Sequence, residues 1–152
     1  MSDLSFQEKS AWGTLVALFV LGALYFSSVW NLWRADELHL PAVFGLGVGF
    51  TVLLVVVLIA YHAVVAVLSR PEDEDERDRL IGWRAGNAGG LVLGFLVVTI
   101  VLHIVVGGLV GRGFAHELAE SPALISVSLI AALWLSTVVE LALAVRYYRR
   151  GT

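Results

Sequence analysis

Three ionisable side chains, His62, His103 and Glu140, fall inside long apolar runs. A charge at such a position is costly and usually faces a bundle interior or a cavity. The acid–base couple they could form is an imidazole beside a carboxylate, which would raise the histidine pKa and let the pair handle protons near neutrality. Helical rise sets His62 about 9 Å from the end of its run at Leu68, and Glu140 about 9 Å from Arg146, so the two share a depth. The helical period lines Thr51, His62 and Ser69 along one stripe and Ser126, Thr137 and Glu140 along another. Turned inward, these stripes bring His62 to Glu140, with Tyr61, Asn87 and Thr14 completing the layer. The plainer expectation is a satisfied polar pair that sets helix register, or a Glu140 that reaches toward Arg146 or a lipid headgroup.

His103 stands apart, about 27 Å along its helix from Ala85 and about 18 Å from the depth of His62. A bis-histidine haem needs two ligands at one depth, so that pairing fails. An outer site from His39, His103 and His116 has no spacing motif behind it, and no metal or cofactor is expected. The absence of cysteine removes disulfides, thiolate metal sites and cysteine nucleophiles. Ser126, Ser128 and Ser136 have no histidine at their depth with an orienting acid. There is no H-E-x-x-H, and the glycine runs lack a phosphate-loop lysine. No enzymatic activity is expected. A net charge of -3 speaks against a nucleic-acid partner, which needs a concentrated basic face.

The elements that must hold these residues follow from composition. With 59% hydrophobic and 15% charged residues, the chain is far from the balance of a soluble fold. A bilayer core of about 30 Å takes roughly 20 apolar residues of helix, and residues 10–33, 41–69, 85–111 and 122–145 each supply them. These runs are too continuous for barrel strands that alternate in and out. The expectation is one all-α membrane domain over residues 1–152, a bundle of four transmembrane helices. No cleavable signal peptide is expected, because Asp3, Glu8 and Lys9 precede the first run and that run is too long for a signal core.

Orientation follows from lysine and arginine. One side would hold Lys9, Arg70, Arg77, Arg79, Arg84, Arg146, Arg149 and Arg150, the other only Arg34 and Arg112, which puts both termini in the cytoplasm of a bacterial inner membrane. Ser5 and Glu8 form an S-x-x-E cap ahead of helix one, while Pro41 and Ser121-Pro122 open helices two and four. Trp12 marks the inner interface, Tyr25, Phe26, Trp30 and Trp33 an outer aromatic belt, and Tyr147, Tyr148, Arg149 and Arg150 the closing anchor. Gly45 with Gly49, the row Gly86, Gly90 and Gly94, and Gly107 with Gly111 repeat at four-residue spacing, the pattern that lets helices approach closely in lipid. Their partner is either a helix of the same chain or a second copy in a homodimer.

The only long run that water would prefer to lipid is residues 70–84, RPEDEDERDRLIGWR, the hairpin between spans two and three. Pro71 ends the preceding helix, and the acids that follow complement the positive end of the next helix dipole. Asp73 with Arg77, and Asp75 with Arg79, are spaced for i,i+4 pairs. Even so, the charge density exceeds what a connector needs, and Glu72, Asp73, Asp75, Glu76, Arg77, Asp78 and Arg79 are the candidate docking residues for a cytoplasmic or membrane protein partner.

On SFQEKSAW at Ser5–Trp12, DERDRLI at Asp75–Ile81 and the closing Arg-Tyr-Tyr-Arg-Arg, the whole chain resembles a group of small bacterial four-helix membrane proteins without assigned function. Members are thought of as companions of cytoplasmic transcriptional regulators. The chain is more distantly similar to bacteriocin-immunity signalling proteins that hold a repressor at the membrane. The resemblance implies a non-catalytic protein whose hairpin docks a regulator or a subunit of a larger assembly, and it carries over no catalytic residue. Here the hairpin is more acidic, which suits a basic partner surface. The alternative is a small, dimeric proton-coupled transporter or channel using His62 and Glu140.

Overall fold

The computed structural model describes residues 5–68 and 75–150. It contains α1 (Phe6–Arg34), α2 (Leu40–Leu68), α3 (Glu76–Val110), the short α4 (Phe114–Glu120) and α5 (Pro122–Arg150), with no strand among the described residues. All but α4 are long and apolar enough to cross a membrane. The protein is a helical bundle of the expected class; α1 overruns its apolar run at both ends and α3 and α5 at the charged end, while α2 starts one residue ahead of its run.

Local chemistry explains the boundaries. Ser5 Oγ accepts the Glu8 amide at 3.1 Å and starts α1 at Phe6, as its S-x-x-E pattern predicts. Pro41 sits in the first turn of α2, where His39 caps the helix by accepting the Ala42 amide at 3.2 Å. Ser121 caps α5 through the Leu124 amide at 3.3 Å. The helix α4 is not foreseen by the hydropathy pattern. Gly111, at φ 66°, ends α3 in the left-handed conformation that glycine enters without strain, and Gly113, at φ 75°, starts the turn into α4.

Four contacts bring the N-terminus of α1, the C-terminus of α2, the N-terminus of α3 and the C-terminus of α5 to one end of the molecule. These are Tyr61 with Lys9, His62 with Ser10, Arg77 with Tyr148, and Arg149 with Glu8. Across the bundle α5 is central. It packs along α3 and α1 and touches α2 sparsely, whereas among the described residues the extensive contacts of α3 are with α5 and α4.

The glycines that make this packing are mostly not those of the four-residue rows. A Cβ at Gly45, Gly49, Gly90 or Gly94 would meet nothing within 4 Å, so these face outward. Gly86 only grazes α5, with the position of a Cβ 3.7 Å from Glu140 Oε1. Gly107 lies against the Ala115 backbone of α4, and Gly111 is the α3 cap, so this pair builds a turn and not a face between spans. The close approaches fall at Gly89, on Glu140 and Ser136, and at two isolated glycines of α1. Gly13 receives the Tyr61 ring and Gly22 the Trp134 indole. Each aromatic group then donates to the carbonyl four residues before its glycine: Tyr61 Oη to Lys9 at 2.6 Å, Trp134 Nε1 to Leu18 at 2.9 Å. A missing Cβ thus opens a notch through which a neighbouring helix reaches the α1 backbone.

Candidate functional site

At the charged end, the expected couple of His62 and Glu140 is not assembled. The His62 Nδ1 proton goes to the Leu58 carbonyl at 2.8 Å, since a carbonyl can only accept. Its Nε2 is hydrogen-bonded to the Ser10 hydroxyl of α1 at 2.8 Å. The ring is half-buried between α1 and α2, with Tyr61 edge-on to it at 5.5 Å. Glu140 lies across the bundle on the far face of α5, its side chain over the gap left by Gly86 and Gly89 of α3. The stripe argument fails because α5 turns Glu140 toward α3, while α2 turns His62 toward α1.

Both side chains lie toward the same end of the bundle, His62 beside Ser10 of α1 and Glu140 beside Gly86 and Gly89 of α3. Glu140 is half-buried against α3.

The remaining candidates disperse. Asn87 is exposed on α3 and does not join the layer. His103 is exposed near the other end of α3, with its Nδ1 proton on the Thr99 carbonyl at 2.8 Å. His39 caps α2, and His116 stands 3.4 Å from Glu120 within α4. Among the described residues no group of three or more His, Cys, Asp or Glu could hold a metal ion.

What does assemble is a charged ledge where α3 begins beside the end of α5. Asp75 caps α3, its carboxylate accepting the Asp78 amide at 2.7 Å, while the Asp78 carboxylate accepts the Asp75 amide at 3.5 Å. This corrects the expected pairing of Asp75 with Arg79: the acid is held by the helix end. Glu72 and Asp73, with Ser69, Arg70 and Pro71, lie outside the described residues. Arg77 reaches across to donate to the Tyr148 carbonyl of α5 at 3.3 Å. One turn further Ile81 is fully buried, followed by Ala85 at 1% exposure. Glu76, Arg79 and Arg84 remain exposed, with no partner among the described residues.

Beside this ledge the two ends of the chain are latched. Glu8, only 8% exposed, lies 3.8 Å from Arg149, whose guanidinium stands 5.0 Å above the Trp12 ring. Nothing in the local sequence pattern marks this contact, because it joins helices at opposite ends of the chain.

Fold and site together define a multi-pass membrane protein with a polar layer and a charged helical ledge at one end. No protein-family profile, curated protein or solved structure matches the chain.

Proposed function

We propose that this is a non-catalytic membrane protein that presents the first turns of α3 to a protein partner in the cytoplasm. The partner is a regulator or a subunit of a larger membrane assembly, as the resemblance to small bacterial four-helix proteins implies. The observation that carries this reading is the mounting of the ledge. Ile81 is buried completely and Arg77 is tied to the Tyr148 carbonyl, while Glu76, Arg79 and Arg84 stay exposed without a partner among the described residues. Charges held on a fixed backbone lose little entropy when a partner engages them, which suits them to recognition. The sequence leading into the ledge is acidic over residues 72–76, a charge that a basic partner surface would complement.

Co-purification from native membranes under mild detergent tests this. A protein recovered in fixed proportion with the intact chain should be lost on deletion of Glu72 to Asp78, and equally on the double exchange Glu76→Lys with Arg79→Glu. An unchanged set of companions in both variants would refute the docking role.

A further inference from the structure

Two polar side chains in the spans, Asn87 of α3 and Glu140 of α5, make no hydrogen bond or ion pair among the described residues. Asn87 is exposed and Glu140 half-buried. Both belong to apolar runs, where lipid offers neither of them a partner. They flank a row of glycines at four-residue intervals, Gly82, Gly86, Gly90 and Gly94. A Cβ at Gly82, Gly90 or Gly94 would meet nothing within 4 Å, and at Gly86 it would meet only the Glu140 carboxylate. Beside the row Leu91 and Phe95 are 70% and 72% exposed.

The two polar groups stand on opposite sides of this row. At about 100° per residue, Gly89 lies about 60° from Gly86 in one sense and Asn87 about 100° in the other. The Glu140 carboxylate spans Gly86 and Gly89, with the position of a Cβ at Gly89 3.2 Å from Oε2. Asn87 follows Gly86 directly, so it is anchored within about 1.5 Å of the same depth.

A carboxylate accepts and an amide NH2 donates, so each group is what the other lacks. Within one chain the α3 backbone separates them. Under a two-fold axis along the bilayer normal, the Asn87 flank of one copy lies against the Glu140 flank of the other at equal depth, and the same contact forms twice. A different protein would need its own donor and acceptor at that depth, spaced across one helix, whereas a second copy already carries them. The bare backbone of the row lets the two helices come close enough for both contacts to close. We propose that the chain forms a parallel homodimer along the glycine row of α3, in which the Asn87 amide of each copy donates to the Glu140 carboxylate of the other.

Single-molecule photobleaching of the full chain, diluted in bilayers, measures the fraction of dimer. The parent should dimerise. Gly90→Leu should raise the dissociation constant at least about tenfold, while Gly45→Leu, at an outward glycine of α2, leaves it unchanged. Asn87→Asp sets carboxylate against carboxylate and should weaken the dimer by a similar factor. Adding Glu140→Gln to Asn87→Asp restores a donor facing an acceptor in exchanged order, and should bring the constant back to within about threefold of the parent. A parent that stays monomeric at every dilution overturns the proposal, as does Asn87→Asp without effect or without rescue by Glu140→Gln. Dimers that respond equally to Gly45→Leu and Gly90→Leu also overturn it, because they use another face.

Discussion

Tyr61 over Gly13 and Trp134 over Gly22 show how single residues set the spacing of this bundle. A Cβ at either glycine would overlap an aromatic ring that is itself anchored by a hydrogen bond to the α1 backbone. Between helices in lipid such a bond contributes about 0.6 kcal/mol on average and up to about 1.7 kcal/mol. Trp134→Phe, which keeps most of the ring but removes the donor, should therefore cost about 1 kcal/mol in reversible unfolding from bilayers or bicelles. Gly22→Val should cost more, at least about 2 kcal/mol, because the indole must leave its notch. Gly94→Ala should be neutral or stabilising by up to about 1 kcal/mol, since it gains helix propensity and meets no neighbour. If Gly94→Ala proved as damaging as Gly22→Val in the monomer, the assignment of packing glycines would be wrong. These roles were illegible in the sequence for a physical reason. A row of small residues advertises a face, but a lone glycine acquires meaning only from the ring that fills it, and that ring lies 48 residues away for Gly13 and 112 for Gly22.

At the scale of elements, the first turns of α3 are the informative piece. Its start at Glu76 follows from the acid run after Pro71, and the capping by Asp75 is the kind of local bond that sequence can foresee, although spacing alone suggested a pair with Arg79. That the turn is rigid depends on Ile81, which is fully buried. Ile81→Asp should free the ledge by placing a charge where an apolar side chain contributed about 2 kcal/mol of burial. A spin label at position 79 would then become mobile in its electron paramagnetic resonance spectrum, whereas Arg77→Ala, the loss of one exposed bond, should change it little. A label at 79 that is already fully mobile in the unaltered protein would contradict the mounting. The same scale explains the failure of the His62 and Glu140 expectation. Equal depth could be counted along each helix, but the facing of a helix depends on which neighbours it meets. Hydropathy is nearly uniform around these spans and leaves that choice open.

For the whole molecule, the four long apolar helices were legible because bilayer thickness and backbone hydrogen bonding leave few alternatives for such long apolar runs. The arrangement was less so. With α5 central and α3 held mainly by α5, one flank of α3 is left to lipid or to another chain, and Leu91, Phe95 and Leu109 are more than two-thirds exposed along it. Apolar residues that face lipid and those that face protein look alike in sequence, since lipid supplies no hydrophobic contrast. What the docking role requires of the whole is that the ledge stand in water, on the same side as both chain ends and opposite the turn between α3 and α4.

Because the chain contains no cysteine, single cysteines report on this without background. Arg79→Cys, on the ledge, and Arg112→Cys, between α3 and α4, would each be exposed in intact cells to a membrane-impermeant maleimide. Labelling at 112 without permeabilisation, and at 79 only after it, is the expected result. Labelling of position 79 from outside the intact cell would contradict the account.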